Sequence, residues 1–248
     1  MSSADATTGG GERIAKFLAR AGVASRRAAE AMIAAGRVRL NNQPVTHPAT
    51  FIQPGDLVVV DGAPVAKPER TRLWRYHKPD GLVTTHRDPE GRPTVFERLP
   101  PGLPRVISIG RLDLTSEGLL LLTNDGALAR LLELPATSWI RRYRVRVHGA
   151  VEPPALAALA RGITIAGVRY GPIEAGLDQR KGENAWLTVA LREGRNREIR
   201  KVMAELGLAV TRLIRTSYGP FQLGLLPRGA VEEIPARVLR EQLPKPVP

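Results

Sequence analysis

The segment IGRLDLTSEGLLLLTNDG, residues 109–126, gathers the side chains best suited to chemistry. Arg111, Asp113, Thr115, Ser116 and Glu117 crowd one polar stretch between two apolar runs, residues 106–109 and 119–122. The four leucines read as a central strand buried on both faces. The earlier run reads as a strand that enters the polar loop. Asp113 then sits on a loop held between two core strands, a scaffold that can fix a catalytic side chain. A carboxylate in such a loop can instead cap its own backbone, and spacing alone leaves both roles open.

Two other stretches carry candidate groups. In RRYRVRV, strand alternation puts Tyr143, Val145 and Val147 on one face and Arg142, Arg144 and Arg146 on the other. An aromatic ring on the apolar face is ordinarily core. In LREGRNREIRKV, residues Ile199, Val202, Met203 and Leu206 form a helical apolar stripe with Arg200 at its edge. An ionised Asp113 in a dry pocket needs a cationic partner, and Arg200 is a candidate. A phosphate-binding or surface role is equally open, because Arg192, Arg195, Arg197 and Lys201 are close in sequence. Leu213, followed by Ile214, reads as core.

The elements that must position these groups start near residue 73. Residues 73–77, 106–109, 119–123, 143–147 and 187–191 read as β-strands, and helical patterns fall near 126–133, 153–161 and 196–206. Strands and helices do not alternate regularly. That predicts an α+β domain, over residues 73–240, with a mixed, mostly antiparallel sheet flanked by helices.

A smaller unit precedes it over residues 12–62. Ile14, Phe17, Leu18 and Ala21 share one helical face that stops at Gly22. Ser25 caps a second helix carrying Ala29, Met32 and Ile33, which ends at Gly36. Short strands follow at 38–40 and 57–60, with turns at Asn41-Asn42 and Pro54-Gly55-Asp56. Residues 63–72 read as a linker, 1–11 as a disordered tail and 241–248 as a flexible proline-rich tail.

Composition narrows the partners. The 248 residues carry a formal net charge of +13 and no cysteine, so disulfides and thiolate metal sites are excluded. His47, His77, His86 and His148 are scattered, and no metal site is expected. No apolar run approaches a bilayer span, and the polar, glycine-rich N-terminus lacks an apolar signal core. The cytoplasm is the expected compartment. Arginine dominates the basic set, which favours a phosphate-rich partner. Arg13, Lys16, Arg20, Arg26, Arg27, Arg37 and Arg39 crowd the small unit. Arg26 and Arg27 follow the cap Ser25, where a helix N-terminus already favours an anion.

These motifs carry two resemblances. ERIAKFLARAGVASRRAAEAMIAAGRVRLNNQPV followed by PGDLVVVDG resembles the S-four-type RNA-binding domain, over about a fifth of the chain. Residues 73–235 resemble the pseudouridine synthases that modify ribosomal RNA, the RsuA and RluB group. YHKPDGLVTT, DPEGRPTVFERLP, ISIGRLDLTSEGLLLLTNDG, RRYRVRVHG, LREGRNREIRKV and RLIRTSYGPFQLG follow in that family's order. Within the group the match is nearest to the RluB type, which acts on 23S rRNA. The resemblance implies a cofactor-free isomerase with Asp113 as the essential carboxylate and Arg200 in a salt bridge to it. It implies that Tyr143 stacks on the target base and that Leu213 lines the pocket. Arg111 would take the place of the flipped base or contact a phosphate. The arginine face beside Tyr143 (Arg142, Arg144), with Arg195 and Arg197, would track the RNA backbone. Ribosomal RNA or a pre-ribosomal particle is the implied partner, and a monomer is expected. Alternatives are a 16S rRNA enzyme of the RsuA type, a non-catalytic ribosome-assembly factor, and an S-four-type module fused to another RNA enzyme.

Overall fold

The computed structural model describes residues 11–134 and 137–243. The chain divides into two compact units that meet at Thr71 and Arg72.

The first unit holds β1 (Glu12–Arg13), α1 (Ile14–Arg20), α2 (Arg26–Ala34), β2 (Val38–Leu40), β3 (Gln43–Pro44), β4 (Phe51–Ile52), β5 (Val58–Val60) and β6 (Ala63–Pro64). Ser25 caps α2 by accepting a hydrogen bond from the Ala28 amide at 3.1 Å. Gly36 ends it at φ +70, a conformation that a side chain resists. Ile14, Leu18, Ala29, Ile33 and Val38 close a small core over the sheet β3-β2-β5-β6. Part of the expected linker belongs to this sheet. Ala63 pairs with Val60, and the Val65 amide donates to the Val58 carbonyl at 2.8 Å. The expected tail at 1–11 lies outside the described residues except for Gly11.

The second unit runs through β7 (Leu73–Lys78), β8 (Ile107–Ile109), β9 (Glu117–Thr123), α3 (Gly126–Glu133), β10 (Arg141–His148), α4 (Pro153–Ala158), β11 (Ile163–Ile165) and β12 (Val168–Tyr170). It continues with β13 (Ile173–Lys181), β14 (Asn184–Leu191), α5 (Glu198–Glu205), β15 (Ala209–Tyr218), β16 (Phe221–Gln222), β17 (Val231–Glu233) and α6 (Ala236–Gln242). The main sheet has the order β13-β14-β10-β15-β9-β7-β17, with β16 on β15 and β8 on β9. Its pairings are antiparallel except β9 with β15. This is the expected mixed, mostly antiparallel α+β fold. Helix α6 runs to Gln242, so ordered structure extends past the expected boundary at 240; residues 244–248 of the expected tail lie outside the described residues.

Strand β9 is the axis of the unit. Leu120 and Leu122 enter one core with Tyr76, Tyr143 and Val202, while Leu119 and Leu121 enter a second with Leu128, Leu132 and Leu239. All four leucines are fully buried, each worth about 1.5–3 kcal/mol of apolar transfer. Along one edge β9 changes neighbour: β15 pairs with Glu117 and Gly118, and β8 pairs with Leu121 to Thr123. The loop 110–116 leaves the sheet at that fork. Gly118 is required there. Its φ is +101, and a Cβ would stand 2.3 Å from the Arg215 carbonyl oxygen. No helix among the described residues is long and apolar enough to cross a membrane.

Candidate active site

The loop 110–116 is tied down from four directions. The Gly110 amide donates to Glu133 Oε1 on α3 at 2.6 Å, and the Thr84 hydroxyl donates to the Leu112 carbonyl at 2.8 Å. The Arg200 guanidinium on α5 donates to the Thr115 carbonyl at 3.1 Å. Lys78 at the end of β7 does most. Its Nζ donates to the carbonyls of Ser116 at 2.8 Å, Pro79 at 3.0 Å, Asp113 at 3.2 Å and Leu114 at 3.4 Å. The side chain is fully buried. That burial pulls its pKa down to about 8, against the pull of Asp80, Asp113 and Glu117.

So much of the loop's backbone is committed that its side chains are left for other work. The turn closes through the Ser116 amide on the Asp113 carbonyl at 3.0 Å, not on its carboxylate. The self-capping alternative for Asp113 is therefore not what this loop uses. Asp113 instead lines a cavity of about 520 Å³, a size that accommodates a small organic ligand. Tyr143 and Leu213 line it too, from paired strands β10 and β15, with Arg111, Arg195 and Arg197. Arg197 stands before α5 with φ +52, a left-handed conformation that is uncommon for arginine. Six of the residues singled out from sequence thus meet at one opening.

Others fall elsewhere. Arg200 is half-buried and is not among the lining residues. The expected salt bridge to Asp113 is not formed; the Nη1 and Nη2 groups of Arg200 donate to the carbonyls of Val210 at 3.0 Å and Thr115 at 3.1 Å, and its Nε is buried without a partner. Its pKa is lowered first by burial and then by Arg197, while Asp113 acts in the opposite sense. Arg200 thus feels the carboxylate and holds its loop without touching it. Arg142 and Arg144 are exposed on the face of β10 opposite Tyr143, away from the cavity. This is the separation of faces that strand alternation predicts.

In the small unit, Arg26 and Arg27 are exposed at the start of α2. Arg13 stacks over Phe51 at 6.0 Å, and Lys16 pairs with Glu12 at 3.4 Å. Arg37 is held in a forked pair with Asp61 at 2.8 and 2.5 Å, which makes it the least available cation of the set.

Besides Lys78, several lining or supporting groups escaped the sequence reading. Arg215 is 2% exposed, donates to the Leu119 carbonyl at 2.7 Å and lines the cavity. Its Nη2 has no partner, and among the described residues it forms no ion pair with a carboxylate. Glu198 is 4% exposed and accepts the Arg195 amide at 2.9 Å, with Oε1 unpartnered. Burial drives its pKa upward. Glu133 and Arg141 also line the cavity. A signal for two of the buried cations existed. Lys78 follows Trp74 and Tyr76 at the buried phase of β7, and Arg215 follows Leu213 at the buried phase of β15. A charge at an apolar phase of a strand requires a partner or a ligand.

A cavity with one uncommitted carboxylate, an aromatic ring and several guanidinium groups suits an anionic, ring-bearing substrate. The comparisons agree. The family model described as RNA pseudouridylate synthase matches residues 72–205, and the S4 domain model matches residues 12–58. The chain is 47% identical over 229 residues to an uncharacterized RNA pseudouridine synthase of Rickettsia bellii, covering 92% of this chain and 99% of that one. It is 42% identical over 231 residues to ribosomal large subunit pseudouridine synthase B of Pasteurella multocida, covering 90% and 67% respectively. A crystal structure of a pseudouridylate synthase superposes with a TM-score of 0.64 at 26% identity, covering 93% of this chain and 99% of the other.

Proposed function

The chain belongs to the RNA pseudouridylate synthase family, and from that premise we propose that its substrate is a uridine of 23S ribosomal RNA, isomerised at Asp113. The large-subunit relative at 42% identity supports the choice of RNA. The placement of Asp113 in the cavity beside Tyr143 carries the choice of residue.

The reaction breaks the bond from uracil N1 to the ribose C1′, turns the base, and joins its C5 to C1′. N1 gains a proton and C5 loses one to solvent, so no atoms are added overall. The uridine must first leave its helical stack to reach a recessed carboxylate. Tyr143 and Leu213 supply the apolar walls that receive the base, and Arg111, at the mouth, fills the gap it leaves or holds a phosphate. The Asp113 carboxylate then either attacks C1′ or removes the 2′ proton. Both routes need an ionised oxygen free of the loop's own hydrogen bonds, and Asp113 makes none with it. Arg200 acts as a positioning residue through Thr115. Arg195 and Arg197 take phosphates beside the opening. Arg26 and Arg27, with Arg13 and Lys16, give the S4 domain its RNA contacts, and Arg37 is expected to contribute least.

The test is tritium release from RNA labelled at uridine C5, with the product located by pseudouridine mapping of rRNA from cells lacking the protein. One lost site in 23S rRNA, restored by the wild-type chain and not by Asp113→Asn, is the expected result. A full set of pseudouridines in the deletion strain, or full activity in Asp113→Asn, would overturn the assignment.

A further inference from the structure

Among the described residues, no element packs on one half of a face of the main sheet, and the side chains exposed there are mostly basic. Helices α3 and α6 cover the β8–β9 end through the second core. Beyond it, Arg142, Arg144 and Arg146 project from β10 on the side opposite Tyr143, all exposed. Cross-strand register then sets a cluster. Arg146 lies opposite Trp186 of β14 and opposite Arg212 of β15, and Gln179 of β13 lies opposite Trp186. These residues, with Lys181 and Asn184, line a second cavity of about 450 Å³ that has no carboxylate among its lining residues.

The cluster is built rather than scattered. The Arg144 guanidinium sits 4.7 Å from the centre of the Trp186 ring, yet the ring still lines the cavity. Arg212 is fixed by a forked pair to buried Glu117 at 2.8 and 3.0 Å. Arg146 and Lys181 have no ion-pair partner among the described residues, so their charges remain for a ligand. An indole that offers a stacking surface, free cations at its edge and two side-chain amides make up the chemistry that holds an unstacked nucleobase with its flanking phosphates. An acidic peptide would use the cations but leave the ring idle.

We propose that this rear face is a second RNA-docking site, centred on Trp186, that grips a segment of the substrate RNA away from the target uridine. The inference rests on the RNA-isomerase reading and adds a surface to it. The sheet separates the two cavities, so one nucleotide cannot fill both. An RNA that engages both must pass around an edge of the sheet, which selects a folded RNA over a short single-stranded loop.

The test uses the full chain and in vitro transcribed 23S rRNA. Binding is measured over a range of salt, and ultraviolet cross-links are mapped to peptides. Arg146→Glu with Lys181→Glu changes only exposed side chains. It is expected to weaken binding at least 10-fold and to flatten the log–log salt slope by about 1 to 2, one phosphate contact per cation. Trp186→Ala is expected to weaken binding by about 5- to 100-fold, and wild-type protein to yield a nucleotide adduct on the peptide carrying Trp186. The rate at saturating RNA should stay at the wild-type value in the charge-reversed variant. Wild-type affinity and salt slope in both variants, with cross-links confined to peptides of the Asp113 cavity, would overturn the proposal. Unchanged RNA binding together with loss of a protein that co-purifies with the wild type would overturn it in favour of a peptide site. Binding needs no turnover, so a chain that converts no uridine would sink the isomerase reading while these measurements still decided the rear site.

Discussion

Replacing Lys78 by Met keeps an apolar stem of similar length and deletes the ammonium that ties Pro79, Asp113, Leu114 and Ser116 together. Two of those carbonyls have other donors: Asp113 from the Ser116 amide, and Leu114 from the Gly81 amide at 2.8 Å. Those of Pro79 and Ser116 lose their donor, and a buried polar group left bare costs about 1–3 kcal/mol. The loop then drifts, and a misplacement of about 1 Å at a reacting group costs on the order of 100-fold in rate. The pH response separates this role from simple packing. Lys78 has a pKa of about 8 when folded, against 10.5 in the unfolded chain. Between those values the unfolded state binds the extra proton, so wild-type stability rises with pH across the window. The total rise is about 3 kcal/mol relative to Lys78→Met, from about 1.4 kcal/mol per unit. Activity moves the other way. A neutral amine has two N–H groups for four carbonyls, so turnover should fall above pH 8 while the fold tightens. Urea denaturation from pH 7 to 10.5, alongside tritium release, reads both limbs. A wild-type-to-variant stability gap that stays flat with pH, or Lys78→Met turnover within twofold of wild type, would refute the reasoning.

Arg215→Met should leave the fold intact or slightly more stable, since it removes a buried unpaired charge; it should raise KM for RNA at least 10-fold, and an unchanged KM would show that Nη2 has no substrate partner. Arg200→Lys should lower kcat with little change in RNA affinity, because a lysine cannot span Thr115 and Val210 as the fork does; equal losses in kcat and affinity would mark it as an RNA contact instead. Gly118→Ala forces a Cβ against the Arg215 backbone at positive φ. It should cost at least about 3 kcal/mol, lowering Tm by about 6–12 °C, as calorimetry would show.

Alternation and capping made most of the elements legible. The period-2 pattern of RRYRVRVH reappears as buried Tyr143, Val145 and Val147, and the four leucines of β9 are buried on both sides as a continuous apolar run requires. Ser25 caps where its type and position predicted. Asp113 was readable as a candidate because a polar loop between apolar runs is a local pattern. What local pattern cannot carry is pairing between distant segments. Lys78 reaches the loop from 35 residues away and Arg200 from 85, and neither link has a trace in spacing. The same holds for Arg37, whose partner Asp61 is 24 residues on. Arg142 and Arg144, by contrast, lie on the face opposite Tyr143 as the period of two predicts.

The parallel contact between β9 and β15 has a consequence for biosynthesis. It joins residues 117–118 to 214–215, and the loop's last backbone anchor comes from α5 beyond residue 198. Contacts of such sequence separation form late, after the entropy of closing a long loop has been overcome. A nascent chain whose first two hundred residues have emerged already carries Asp113 and Tyr143, yet has no competent centre. Assembly of the Asp113 cavity therefore waits for β15, and a chain stopped before residue 213 lacks Leu213 and Arg215 from its wall.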